Sequence, residues 1–282
     1  MSDADPRERP DRIVVALDAS PHSVAALEAA AELAMLLDAE LEGLFVEDID
    51  LFRLCGLPFG HEVGSYTAEV RRVDHAAMER QLRALAAAMR ETMERIALRT
   101  PIRWSFRVSR GCVVDELMCA AQGAAVISVG RTGRARGRGM GSTARALAGR
   151  APRPLLIAGE GRGLEFPLAV LFTGTPAAER ALRLALRLSR RDPALLRVVA
   201  WAGADPSLGA DDVADAVRRL ARAELSGAAA PDSSAPAPVA TAGPSVDELL
   251  AALRELDGGT LVLPSEQVAL LARLSRSVLL VP

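Results

Sequence analysis

The sequence predicts an α/β protein made of two doubly wound, parallel-sheet domains, residues 1–159 and 164–282. Three observations predict it. The length of 282 residues suits two domains at roughly 100–200 residues each. Half of the residues are hydrophobic and only 3% aromatic, an Ala-, Leu- and Val-rich mixture that suits helices packed on a buried sheet. Short apolar runs alternate with helical patterns in the order β-α-β-α-β-α-β-α-β, which implies a parallel sheet covered on both faces.

In the first unit, residues 13–17 (IVVAL) form a near-continuous apolar run, expected of a strand buried on both faces. Residues 20–37 place Val24, Leu27, Ala31, Ala34 and Leu37 on one helical face. Residues 41–47 read as the second strand. Residues 48–67 read as a loop because they carry Gly56, Pro58, Gly60 and Gly64, and 69–98 as a long charged helix. Strand 102–108, a helix at 113–121 opened by Gly111, strand 124–129, helix 142–150 and strand 154–158 complete the unit. The second unit has strands at 168–172, 196–201, near Val239, 260–263 and 278–281, with helices at 176–189, 211–225, 246–256 and 266–274. Residues 159–163 (GEGRG) read as the linker, and 227–245, rich in Ala, Pro and Ser, as a surface loop.

An internal repeat supports the two-unit reading. Residues 13–27 (IVVALDASPHSVAAL) align without a gap to 168–182 (LAVLFTGTPAAERAL) at an offset of 155. Each pairs an N-cap hydroxyl, Ser20 or Thr175, with a proline at the first helical position, where the missing N–H had no partner anyway. Val114-Asp115-Glu116-Leu117 matches Val246-Asp247-Glu248-Leu249, and residues 153–157 match 276–280. The shrinking offsets, 155 then 132 then 123, mean that the second copy has lost segments, nine residues of them after the VDEL helix.

Composition excludes several functions. Net charge is −2 and the pI near 6.0, which argues against a general nucleic-acid or polyanion binder. All 34 basic residues are Arg, so the lysine of a Walker A loop and lysine Schiff-base chemistry are both excluded. The three cysteines, Cys55, Cys112 and Cys119, form neither a CxxC pair nor a Cys/His cluster, so no disulfide framework or zinc site is expected. Cys112 and Cys119, seven apart on one helix, read as core. The charged start MSDADPRERP has no apolar run behind it, and no stretch is long enough to span a membrane, so the chain reads as cytosolic.

Chemistry concentrates at residues 130–143, Gly-Arg-Thr-Gly-Arg-Ala-Arg-Gly-Arg-Gly-Met-Gly-Ser-Thr. Its five glycines follow a strand and precede a helix, and glycine lets an anion approach main-chain N–H groups closely. Arg131, Arg134, Arg136 and Arg138 add charge, and residues 131–153 hold seven Arg and no acid.

With Asp18 ending the first strand and Gly111 before the third helix, Gly130-x2-Gly133-x7-Gly141-Ser142 resembles the universal stress protein family in tandem form, over essentially the whole chain. The loop is two residues shorter than the Gly-x2-Gly-x9-Gly-Ser/Thr of the family's ATP-binding branch. The resemblance implies the adenine nucleotide alpha hydrolase-like fold, strand order 3-2-1-4-5, with Asp18 and Gly130 facing each other across the crevice. It implies ATP as ligand, with or without Mg2+. Leu17 and Asp18 would hold the nucleoside, Val46 and Val129 would flank adenine, and Gly130, Arg131, Gly133, Gly141, Ser142 and Thr143 would meet ribose and phosphates.

The second copy reads as degenerate, because Thr173 stands in place of Asp18 and Leu263-Pro264-Ser265 runs into a helix without a glycine loop. The expected role is nucleotide-dependent regulation in a stress response, not catalysis, with neither nucleic acid nor membrane as partner. A slow ATP hydrolase ranks lowest, because no general base can be named. The alternative is a nucleotide-free interaction protein whose Arg-rich loop is a docking surface. The resemblance also implies that the last strands, 155–158 and 278–281, pair internally as a pseudo-dimer, with a further homodimer left open.

Overall fold

A computed structural model describes residues 11–55, 61–63, 70–72, 75–133, 139–159, 163–201, 210–225, 238–243, 245–256 and 259–282. β1 (Arg12–Leu17) turns into α1 (Pro21–Leu37), and β2 (Glu40–Asp48) into α2 (Ile49–Cys55). A two-stranded hairpin of β3 (His61–Val63) and β4 (Val70–Arg72) precedes α3 (His75–Ala97). β5 (Trp104–Gly111), α4 (Val113–Ala121), β6 (Val126–Gly130), α5 (Ser142–Ala148) and β7 (Leu155–Ala158) follow. The second half runs β8 (Leu168–Phe172), α6 (Pro176–Leu188), β9 (Leu196–Trp201), α7 (Ala210–Leu225) and β10 (Pro238–Ala242). It ends with α8 (Val246–Glu255), β11 (Leu261–Pro264), a 3-10 segment (Ser265–Arg273) and β12 (Val278–Val281).

Ten strands form one sheet in the order β10-β9-β8-β11-β12-β7-β6-β1-β2-β5. Each half is parallel, and its five strands lie in the order 3-2-1-4-5. The halves join where β7 and β12 pair antiparallel, Leu155 opposite Leu280 and Ile157 opposite Val278. Side chains alternate between two apolar layers. Ile13, Val15 and Leu17 share one layer with α1, α3, α6 and α7 and with Leu168, Val170 and Phe172 of β8. Val14 of β1 and Ala169 and Leu171 of β8 face the other, which holds α4, α5 and α8. Both layers pass through the β7–β12 seam.

The capping expectations hold in atomic detail. Ser20 Oγ accepts from the Ser23 amide at 3.1 Å, and Thr175 Oγ1 from that of Ala178 at 3.2 Å. Other expectations need correction. The region read as a loop at 48–67 contains α2, because Asp48 accepts from the Asp50 amide at 3.0 Å and Phe52 buries its ring. The helix expected from residue 69 begins at His75, after β4. Gly111 ends β5 and does not open a helix. The helix expected at 266–274 is a 3-10 segment, Ser265–Arg273, interrupted at Gln267. Cys112 and Cys119 are exposed, not core. No described helix is long and apolar enough to cross a membrane.

Glu32, on α1, ties down the chain between the halves: its Oε2 accepts from the Leu164 amide at 2.7 Å. Burial raises its pKa, the Leu164 hydrogen bond opposes the rise, and nearby Glu28 adds to it. A raised folded-state pKa means that folding favours the protonated acid. This contribution is complete below the ordinary value of 4.5 and is lost as pH rises through the raised one. The melting temperature of the parent protein, relative to that of Glu32→Gln, should therefore fall as the pH is raised over an interval that starts below 4.5. A difference that stays constant over that interval would refute the assignment.

Candidate functional site

The winding reverses between β1 and β6. β1 leads to α1 on one face of the sheet, and β6 leads to α5 on the other. Open α/β sheets leave a crevice at such a point, beyond the carboxyl ends of the strands. Here it is a cleft of about 380 Å³. Leu44, Val46, Val113, Leu117, Val129 and Met140 make its apolar walls, while Asp18, Thr132, Gly133, Gly141, Ser142 and Thr143 bring polar groups.

Tight local geometry builds the mouth. Ala19 has φ +61°, a left-handed conformation that turns the chain from β1 into α1. Asp18 Oδ1 accepts from the Ser20 amide at 2.9 Å. Its other oxygen, Oδ2, faces Gly133 so closely that a Cβ there would stand 3.1 Å away. At Gly130, a Cβ would lie 2.8 Å from the His22 carbonyl, so only glycine lets β6 close against the first turn of α1. The Gly141 amide donates to the Arg131 carbonyl at 2.8 Å, and the Arg131 amide to Ala158 at 3.0 Å, fixing both roots of the glycine loop.

Nine of the ten residues expected at the site line this cleft: Leu17, Asp18, Val46, Val129, Gly130, Gly133, Gly141, Ser142 and Thr143. Arg131 does not. Its side chain is buried and donates from Nη2 to the Leu271 carbonyl at 2.9 Å, so it bridges the two halves. Arg134, Arg136 and Arg138 lie outside the described residues. Among the cleft residues named above, sequence reasoning missed Leu44, Val113, Leu117, Thr132 and Met140. Leu44 lies two residues before Val46 on the same strand face, and Val113 and Leu117 are one helical turn apart, so periodicity carried a signal for them. Met140, inside the spacer, carried none.

The second half differs at the matching place. Thr173 Oγ1 lies 3.2 Å from Thr175 Oγ1, which donates to Glu266 Oε2 at 3.0 Å. β11 passes at Pro264 directly into the 3-10 segment that carries Glu266. Gly174, with φ +75°, occupies the position of Ala19 at the offset of 155. Thus both halves use the same left-handed turn, once at a glycine, which adopts it freely, and once at an alanine, which it strains. Ala19→Gly should raise stability by about 0.5–1 kcal/mol, the strain relieved less the entropy that glycine gains on unfolding. A urea midpoint at or below that of the parent would refute the strain.

The family model for the universal stress protein family matches residues 10–159. No curated protein matches in a sequence comparison. Among solved structures, a universal stress protein from Archaeoglobus fulgidus DSM 4304 superposes with a TM-score of 0.64 at 15% identity, covering 95% of this chain and 97% of that one. A protein of Pseudomonas aeruginosa UCBPP-PA14, described as a universal stress protein, gives 0.52 at 15% identity, with 96% and 92% covered. These likenesses show the fold. Together with the family match over more than half of its length, they place this chain in the universal stress protein family.

Proposed function

We propose that the chain binds an adenine nucleotide, ATP, in the cleft between β1 and β6, and that it serves stress-related regulation, not catalysis. The carrying observation is the opposition of Asp18 and Gly133 across the mouth of an apolar cleft at the winding reversal. Val46, Val129, Leu44 and Leu117 would take the flat purine, and Asp18 would accept hydrogen bonds from the nucleoside. The main chain at Gly133 and Gly141 and the hydroxyls of Ser142 and Thr143 would meet the phosphates. The cleft volume falls within the usual range for small-ligand sites, about 300–1,000 Å³. Mg2+ accompanying the nucleotide would be a ligand of its phosphates; among the described residues, no group of three His, Cys, Asp or Glu could hold a metal by itself.

Asp18 is the one titratable residue among the described residues lining the cleft. One of its oxygens is already engaged by the Ser20 amide, which supports a binding role over that of a general base. A bound nucleotide would change the surface that the 130–143 loop presents to partners, and through Arg131 and Leu271 it would reach the second half. The repeated strand order and the Thr173–Thr175–Glu266 contacts support a second, degenerate copy in which the matching crevice is filled. The β7–β12 pairing supports an internal pseudo-dimer, and light scattering would show whether a further homodimer forms. The composition supports a cytosolic location.

Isothermal titration of the intact chain with ATP should give one saturable site. Gly133→Val, whose side chain would project at Asp18, and Asp18→Ala should each weaken it about tenfold or more, the worth of one charge-assisted hydrogen bond. No heat from the parent chain would overturn the proposal and favour the reading of a nucleotide-free interaction protein.

A further inference from the structure

A second and larger cleft, about 790 Å³, lies beside the seam between the halves. Because β7 and β12 run antiparallel, the entry ends of the first half's strands sit next to the exit of β12. Asp11, Arg12 and Val126 therefore meet Val281 and Pro282 around one opening. Small residues, Gly123, Ala124 and Ala125, line part of it, and a Cβ on Gly123 would stand 3.0 Å from Arg12 Nη2.

The walls are rich in guanidinium. α6 contributes Arg180, Arg183 and Arg187, spaced i, i+3 and i+7 and hence on one helical face. Arg12 and Arg153 bring the lining to five cations, against the carboxylates of Asp11 and Glu224. Arg12 is paired with Glu42, Arg183 with Glu224 at 3.3 Å, and Arg187 more loosely with Asp11 at 3.7 Å. Arg180 Nε donates to the Pro282 main-chain oxygen at 2.6 Å. Arg153 makes neither a hydrogen bond nor an ion pair among the described residues. With Arg12 assigned to Glu42 and Arg180 to the Pro282 oxygen, three cations face two side-chain carboxylates, leaving an excess of one positive charge, that of Arg153, in a concave surface. Such a surface holds field lines together and favours planar, multiply charged oxyanions, which guanidinium groups bind in pairs of parallel hydrogen bonds.

We infer that this cleft binds a compact multivalent anion carrying phosphate or carboxylate groups, at a site separate from the nucleotide cleft. It does not depend on the nucleotide reading. The test is titration of the full chain with tripolyphosphate and, separately, with citrate. It compares the parent protein with an Arg153→Gln, Arg187→Gln double variant and with Gly133→Val. Both arginines are exposed and make at most one long ion pair, so the double variant should keep its circular dichroism spectrum and melting temperature. Binding of at least one anion, weakened about tenfold or more in the double variant and kept in Gly133→Val, is the expected result. Tripolyphosphate alone would assign a phosphate ligand, citrate alone a carboxylate. Failure of both anions to bind, undiminished binding by the double variant, or loss in Gly133→Val would each overturn the inference.

Discussion

The antiparallel contact of β7 and β12 is the constraint on which the rest of the molecule depends. Every residue of both strands is at most 3% exposed, and all eight are Val, Leu, Ile or Ala. Alone, either strand would leave a flat apolar edge with unpaired amides, an invitation to aggregation. Joined, they turn two five-stranded sheets into one and let both apolar layers continue across the seam. Gly159 shows how close the approach is: a Cβ there would lie 2.8 Å from the Ser275 carbonyl, and its amide donates to Ser277 Oγ at 3.0 Å. The true edge at β5 is handled differently, with Arg107 and Arg110 along the strand, held by the buried carboxylates of Glu42 and Glu47 at 2.8 Å each.

From one repeated turn, the two halves reach opposite ends. Ala19 and Gly174 adopt the same left-handed geometry, and Ser20 and Thr175 cap the helices that follow in the same way. What separates them is the chain after the fourth strand of each half. In the first, Gly130 and Gly141 let the loop root close without filling the space above Asp18. In the second, Pro264 commits the chain at once to a 3-10 turn, and Glu266 is brought to the Thr175 hydroxyl. β11 thus passes into the next segment without the glycine loop that follows β6.

Much of this was legible because the signals are local. Buried parallel strands are short unbroken apolar runs, and hydroxyl-proline pairs announce helix starts, so the sheet and its main helices follow from sequence. The failures are places where tertiary contact overrides local signals. α2 hides among glycines and prolines, held by the Asp48 cap and the burial of Phe52. Cys112 and Cys119 stand seven apart, yet the buried face of α4 is set by Leu117, Ala120 and Ala121, which turns both thiols outward. Arg131 belongs to a cationic loop by sequence, but a carbonyl from a residue 140 positions away claims its side chain. No spacing rule encodes that.

The two clefts present different kinds of polar group, which follows from where the fold puts them. At the winding reversal, the groups near Asp18 are main-chain amides and short hydroxyls, fixed by the backbone and usable only at close range. At the seam, the groups are guanidiniums on long side chains of α6, half exposed and already engaged with weak partners. Interactions of the second kind are screened over about 8–10 Å at physiological salt, whereas a hydrogen-bonded contact in a narrow cleft is screened much less. The antiparallel seam therefore does more than hide two edges. By setting strand entries beside a strand exit, it gathers cations from both halves at one opening, a juxtaposition that neither parallel half could produce alone.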